Sequence, residues 1–368
     1  MSTAAVMSLP AEITAVQSRE VRNRKAVRVW LYFGLMVIFA LVLVGGATRL
    51  TNSGLSITEW KPIHGIIPPL SLADWDQEFA KYKLIPEYSQ INKDMTLDGF
   101  KSIFWWEWAH RILARATGMV FALPLAFFWL TGRLESKLKP KLTGILAIGG
   151  FQGFVGWWMV SSGLSARTDV SQYRLATHLI IASFIFAATA YVARGLAVHS
   201  EKSSQSATRR FAGVIVVLCL LQIYLGALVA GLDAGMAYNT WPLMDAAIIP
   251  SDLLNMHPVW LNFFESAKTV QFVHRFGAYI LFLAVLSHMI WTLVKEPRTT
   301  HANRAILMFV LVSVQASIGI ATLLSAVDFH TALTHQGMAM IVLFFAVAHW
   351  RGTKGSYPLP TEVRQQKI

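Results

Sequence analysis

Eight stretches of the chain are made almost entirely of apolar residues, and polar segments separate them. They run over roughly 28–48, 108–131, 142–161, 174–193, 211–232, 270–294, 305–326 and 331–350. Each is about 20 residues long, the length at which a helix crosses the hydrocarbon core of a bilayer. A chain in that environment must satisfy its own backbone hydrogen bonds, which favours helix. The pattern predicts an all-α integral membrane protein with eight transmembrane helices.

Composition indicates the same class of protein. Of the 368 residues, 55% are hydrophobic and only 14% are charged, whereas about a quarter of the residues of a soluble domain are charged. The single cysteine, Cys219, lies inside an apolar run, so no internal disulfide is expected. The first 30 residues include Glu12 and Glu20 and no short apolar region before a cleavage site, which argues against a signal or transit peptide.

The net charge of +12 comes from an uneven distribution of Lys and Arg. Most of them lie in the tails 1–27 and 351–368 and in the loops near 132–141, 194–210 and 295–304. Because loops rich in Lys and Arg stay on the cytoplasmic side of a membrane, both termini are predicted to be cytoplasmic. The positive charge is thus a topology signal, and it gives no reason to expect a nucleic-acid partner.

The sequence indicates a duplication in which each half supplies four helices as one of two pseudo-symmetric bundles. We predict an N-terminal bundle over 28–193 and a C-terminal bundle over 211–350, joined by a cytoplasmic linker at 194–210. An even number of helices in each half makes the two repeats parallel. The matched pairs are Gly54 and Gly235, Trp60 and Trp241, His110 and His274, Gln152 and Gln315, and His178 and His335.

Four of the 11 histidines belong to this repeat, and all four lie near the outer ends of helices. A single histidine in a helix bundle most often hydrogen-bonds a neighbouring helix. Two pairs at one depth, His110 with His178 and His274 with His335, instead favour axial ligation of a haem iron in each half. A zinc or copper ion would need further ligands, and only Glu107 in the first half could supply one.

The two halves differ in one chemically important position. Glu107 precedes His110 by three residues, and the matching residue before His274 is Gln271. A carboxyl group can exchange a proton near neutral pH, whereas an amide cannot. We therefore expect the first half to bind a haem that reacts and the second to bind a haem that stays. The alternative is that Glu107 only pairs with Arg111.

Two further features leave alternatives open. Arg111 and Arg275, which follow the histidines, could bind haem propionates or anchor their helices at the membrane interface. The segment 71–84 predicts an amphipathic helix at the outer surface, with Ser71 as N-cap and Leu72, Trp75, Phe79 and Tyr82 on one face. We expect this helix to serve in packing or as a lid.

The motifs of both halves resemble those of the haem A synthases. They are EWAHR and QFVHRFGAY, the Thr-His pairs at 177–178 and 334–335, GLSITEWKPIHGIIPP, and AYNTWPLMDAAIIP. The resemblance covers roughly residues 25–350 and implies a membrane oxidoreductase that converts the C8 methyl of haem O to the formyl of haem A for terminal oxidase. Without outer-loop cysteine pairs, the chain resembles the branch of the family that lacks them. The absence of a transit-like N-terminus favours a bacterial inner membrane.

The resemblance also implies residue roles. It places a haem b between His274 and His335 and the substrate haem O near His110 and His178, with Glu107 as the catalytic acid–base residue. The haem sites would face the outer side of the membrane. A haem O synthase, an oxidase assembly factor and an unidentified electron acceptor are the expected partners.

Two other functions fit parts of the sequence. A dihaem b-type cytochrome that transfers electrons between quinol and a partner would explain four histidines. Electron transfer across a membrane, however, requires haems at both depths of the membrane, and all four histidines lie toward the outer side. Such a cytochrome would also leave the difference between Glu107 and Gln271 without a use. A transporter could be built from parallel repeats, but the sequence shows no pair of broken helices at the middle of the membrane.

Overall fold

Eight long helices make up most of the computed structural model, which describes residues 11–61, 64–197 and 202–359. By length and composition, eight of the described helices could cross a membrane, so the prediction of an all-α membrane protein with eight transmembrane helices is confirmed. The helices are α1 (Ala11–Leu50), α2 (Leu97–Leu130), α3 (Lys139–Ser161), α4 (Gln172–Gly195), α5 (Ser206–Gly231), α6 (Ala267–Lys295), α7 (Thr300–Leu324) and α8 (Phe329–Gly352).

Helix α1 is longer than its apolar segment, which was predicted to follow a tail ending at residue 27. The helix begins at Ala11. Arg24 explains part of this extension, because its side chain is buried and binds Glu135 at 2.5 Å and the carbonyls of Tyr357 and Pro358 at 2.8 Å each. At the predicted linker 194–210, α4 continues to Gly195 and α5 begins at Ser206. Residues 198–201 lie outside the described part of the chain.

Helix α2 also starts before its apolar segment, at Leu97 rather than near 108. Thr96 caps it, since its hydroxyl accepts a hydrogen bond from the Gly99 amide at 3.2 Å. Phe100 and Phe104 then continue the helix beyond the membrane-spanning stretch by packing under the outer loop. Glu107 and His110 therefore lie well inside a regular helix, where backbone hydrogen bonds fix the direction of their side chains.

The helices of both halves share one apolar core. A single cluster of buried residues takes side chains from all eight helices, among them Leu31, Leu142, Val285 and Leu343. Helix α4 packs against α5 and α8, and α1 packs against α8. Gln336 of α8 adds a polar link, because its amide donates to the Val42 carbonyl of α1 at 2.7 Å.

A helix is present at Leu72–Tyr82, within the segment predicted to form an amphipathic helix. Its N-terminus has the expected capping box, in which the Ser71 hydroxyl accepts from the Asp74 amide and the Asp74 carboxylate accepts from the Ser71 amide. Trp75, Phe79 and Tyr82 pack on aromatic side chains of α2. Leu72, predicted on the same face, is instead 66% exposed. The helix covers the outer end of α2, next to the site described below.

Candidate active site

Glu107 is a buried carboxylate with every acceptor position used. Its side chain is only 3% exposed. Oε1 accepts from the Arg111 guanidinium, at 2.6 Å from Nη2 and 3.1 Å from Nε. Oε2 accepts from the Ser56 hydroxyl at 2.8 Å and from the Ile57 amide at 2.6 Å. The ion pair with Arg111, considered from the sequence as an alternative role for Glu107, is therefore present, and it holds the carboxylate in one orientation.

The two repeated arginines bind backbone carbonyls of the outer loops. Each guanidinium donates to two carbonyls that follow the preceding helix, and these carbonyls lie at matching places in the two halves. Arg111 binds Ile57 at 2.7 Å and Glu59 at 3.0 Å, and Arg275 binds Tyr238 at 2.7 Å and Thr240 at 2.8 Å. In this structure the arginines thus act as loop anchors, a role that the sequence did not suggest.

Gln271 occupies the matching place in the second half with different chemistry. Its amide donates to the Tyr238 carbonyl at 3.1 Å, whereas Glu107 accepts from a backbone amide. Gln271 Oε1 and Arg275 Nε have no hydrogen-bond partner within the described residues. Among the described residues the ion pair of the first half therefore has no counterpart here, because an amide stands where the first half has a carboxylate.

Each of the four predicted histidines lies against a glycine of a neighbouring helix. A methyl group built on that glycine would come within 3.1 Å or less of the imidazole, so any larger residue would displace the ring. The pairs are Gly45 with His110 at 3.0 Å, Gly156 with His178 at 3.1 Å, Gly226 with His274 at 3.1 Å, and Gly319 with His335 at 2.7 Å. The glycines make room for the imidazole rings between the helices.

Three of these histidines are also held by a glutamine of the neighbouring helix. The glutamine amide nitrogen donates to the backbone carbonyl of the histidine and lies 3.1–3.2 Å from its Nδ1. The bonds to the carbonyl measure 2.7 Å from Gln152 to His178, 2.9 Å from Gln222 to His274, and 3.1 Å from Gln315 to His335. We refer to Gln152, Gln222 and Gln315 as the glutamine clamps.

These surroundings fit histidines that bind iron through Nε2. Such a ring carries its proton on Nδ1 and needs an acceptor there. The amide oxygen of every glutamine clamp is buried and has no partner in the part of the chain that is described. A turn of the amide, at the expense of its bond to the carbonyl, would present that oxygen to Nδ1–H. In the second half, His274 and His335 therefore fit the two axial imidazoles of a haem, and His178 of the first half has the same surroundings.

Each predicted pair brings its two histidines within electrostatic range of each other. His110 interacts electrostatically with His178, and His335 with His274. Within residues 11–61, 64–197 and 202–359, no three His, Cys, Asp or Glu side chains converge as a metal cluster. A haem iron needs only two axial bonds from the protein.

A third histidine pair lies elsewhere on α6 and α8. His288 and His349 are buried, and their Nε2 atoms are only 2.8 Å apart. Iron between two imidazoles would need roughly twice a metal–nitrogen bond of about 2 Å. This pair is therefore a direct hydrogen bond between rings, and it leaves the four repeated histidines as the candidate ligands.

The sequence reasoning missed Ser56 and Gln222 and did not recognise what Gln152 and Gln315 contact. One signal was available for the glutamines, because each precedes its glycine by four residues in the same helix. No comparable signal pointed to Ser56.

Fold and site together define a multi-pass, all-α membrane protein with two histidine pairs between its helices, an arrangement typical of membrane haem proteins. Residues 28–347 match the COX15-CtaA family of cytochrome oxidase assembly proteins. The chain is 66% identical to the heme A synthase of Mesorhizobium japonicum over 94% of this chain and 96% of that relative. It is 68% identical to the heme A synthase of Chelativorans sp. over 92% and 93% of the two chains. The corresponding figures for the heme A synthase of Agrobacterium fabrum are 63% identity over 95% and 96%. The chain belongs to the haem A synthase family.

Proposed function

We propose that this protein is a haem A synthase that oxidises the C8 methyl group of haem O to a formyl group, giving haem A for a terminal oxidase. Relatives that are 63–68% identical and carry that name support the proposal. The observation that carries it is the difference between the halves. Within one repeated scaffold, only the first half places a buried carboxylate, Glu107, three residues before the histidine.

We assign the substrate site to the N-terminal bundle, residues 28–193, and a resident haem b to the C-terminal bundle, residues 211–350. His110 and His178 would bind the iron of haem O, and His274 and His335 would bind the iron of haem b. Haem b supplies a one-electron redox centre when it is bound. The glycine contacts and the glutamine clamps described above support the assignment, because they shape and orient the histidines.

Glu107 is positioned to take up protons as the methyl group is oxidised. Conversion of a methyl to an aldehyde is a four-electron oxidation that proceeds by successive hydroxylations to a gem-diol, which loses water, and protons must leave the site with the electrons. The Ser56 hydroxyl is the partner that can rotate, so it can yield its place at Oε2 to an incoming proton. Arg111 keeps the carboxylate in position throughout.

The aromatic packing above the site limits access of water. Trp75 and Phe104 contact each other with ring centroids 5.0 Å apart, one turn of α2 before Glu107. A drier site strengthens the electrostatic interactions of the carboxylate. We assign the outer-loop helix Leu72–Tyr82 to this covering role.

The proposed setting is a bacterial inner membrane with both termini in the cytoplasm and the haem sites toward the outer side. The concentration of Lys and Arg in alternate loops supports this orientation. A haem O synthase, an oxidase assembly factor and an electron acceptor are proposed partners on the basis of the chemistry alone.

A bacterial host that makes haem O but no haem A provides the test. We expect extracted haem A to appear when the chain is produced there, and to disappear with Glu107→Gln, the amide that the second half carries. Asp98→Asn is the control, since it makes the same change in the first turn of α2 at a side chain that is 90% exposed. Haem A formation by Glu107→Gln would refute the role of the carboxylate. A folded protein that holds only haem b and leaves haem O unchanged would favour the electron-transfer cytochrome.

A further inference from the structure

Three candidate ligands have a glutamine clamp, and the fourth, His110, has none. In α3, α5 and α7 the clamp lies four residues before the glycine that contacts the histidine, so both share one helix face. The residue four positions before Gly45 in α1 is Leu41. Leucine has no polar atom to offer, and no hydrogen bond joins the His110 ring to any residue that the structure describes.

The orientation of the His110 ring relative to its glycine also differs from that of the three clamped rings. In each clamped pair, a methyl group on the glycine would lie closest to Cε1 of the imidazole, at 2.7–3.1 Å, and farther from Nε2, at 3.5–3.9 Å. At Gly45 the order is reversed, because Nε2 of His110 is the nearest atom at 3.0 Å and Cδ2 follows at 3.4 Å. The unclamped ring therefore turns its Nε2 toward α1.

Clamps of this kind affect how firmly a histidine binds metal. A partner that fixes the ring orientation and accepts from its second nitrogen typically changes metal affinity by about 10–100-fold. A histidine without such a partner loses more rotational freedom when it binds iron, and so its bond is the weaker one. His110 is also the only one of the four with a carboxylate three residues before it.

We propose that Gln152, Gln222 and Gln315 are positioning residues that keep their histidines on iron, and that Leu41 makes His110 the releasable ligand of the substrate site. The inference rests on the proposed function, since it assumes a haem in each half. Release breaks only the bond between iron and Nε2 and transfers no electrons. It would leave one coordination position of the substrate haem open on the side where Glu107 lies.

Carbon monoxide is a suitable probe, because it binds reduced haem only where an axial position can open. In protein purified with both haems and reduced, we expect about half of the bound haem to react. Leu41→Gln supplies the missing clamp and should lower the reactive fraction several-fold, whereas Leu41→Met, which has no amide, should leave it unchanged. Gln222→Leu removes a clamp from the second half and should raise the reactive fraction above one half.

The outcomes separate the two proposals. If both haems are present and Leu41→Gln and Gln222→Leu react as the unaltered protein does, the clamp hypothesis is wrong and the proposed function stands. If the folded protein from a host that supplies haem O holds no haem at His110 and His178 and forms no haem A, both are wrong. If Leu41→Gln does not fold, Gln222→Leu alone tests the clamp hypothesis. A reactive fraction of one half in Gln222→Leu would contradict it.

Discussion

Glu87 has a buried carboxyl group in the outer loop between α1 and α2. It lies in the short helix Pro86–Gln90 and is 4% exposed. Its Oε2 atom has no hydrogen-bond partner among the described residues. Burial, together with the nearby carboxylates of Asp169 and Glu107, raises the pKa of Glu87 from an ordinary value of 4.5 to about 8. The folded protein therefore holds Glu87 in its neutral form at neutral pH.

This pKa makes the stability of the protein depend on pH in a defined window. Below about pH 4.5 both states are protonated, and above about pH 8 both are ionised. Between these values the folded state binds more protons than the unfolded state, so stability falls as pH rises. At about 1.4 kcal/mol per pH unit the loss is at most about 5 kcal/mol. Relaxation around a buried charge reduces the expected loss to about 2–4 kcal/mol.

The substitution Glu87→Gln should abolish this loss, because an amide of the same shape cannot ionise. Thermal unfolding of the detergent-solubilised protein, followed by tryptophan fluorescence between pH 5 and pH 9, measures it. We expect the variant to exceed the unaltered protein by several degrees at pH 9 and to converge with it near pH 5. Glu78→Gln, in the neighbouring loop helix, is the control for loss of a carboxylate. An unchanged pH slope in Glu87→Gln would show that Glu87 is not the buried acid described.

Two other substitutions test contacts on opposite sides of the molecule. Ser56→Ala removes one of the four donors to Glu107, and loss of a hydrogen bond to a charged group, about 1.5 kcal/mol or more, should slow haem A formation about tenfold with haem content retained. Unchanged haem A formation would exclude a role for the hydroxyl. Arg24→Ala removes the hydrogen-bond donor to the carboxylate of Glu135 and to two carbonyls. The apparent free energy of unfolding should therefore fall by about 3–5 kcal/mol. Glu135→Gln should cost less, and chemical denaturation compares the two. Equal and small losses would mean that the buried pair contributes little.

The sequence was sufficient for features that depend on composition and repetition. Long apolar runs predicted all eight transmembrane helices, because a bilayer leaves a chain few other ways to satisfy its backbone. Repetition separated His110, His178, His274 and His335 from the other histidines, and the structure places each against a glycine. The cap at Ser71 was predictable because a capping box is local in sequence.

Contacts between distant segments were beyond the reach of such patterns. Glu107 meets Ser56 across 51 residues and Gln222 meets His274 across 52, and no periodicity encodes a pairing between a loop or helix and its neighbour. The extension of α2 to Leu97 was missed for a related reason. Its outer turns are stabilised by packing under the loop helix, which lies 15 or more residues away in the chain and is not visible in a hydrophobic run.

The differences between matched residues of the two halves indicate how the proposed roles of the halves differ. Both halves keep the glycine beside the histidine and the arginine that anchors the outer loop, so these contacts are common to the two. The two polar differences described here, Glu107 against Gln271 and Leu41 against Gln222, both fall beside the first histidine of their half. In the proposed function, the first difference provides the N-terminal half with a proton acceptor, and the second leaves His110 without a clamp. A site that must hold, transform and release its ligand needs both properties, whereas a site for a resident cofactor needs a fixed histidine and no nearby acid. With the proposed roles, one half would serve a substrate and the other a cofactor, and these two positions around one ring would distinguish them.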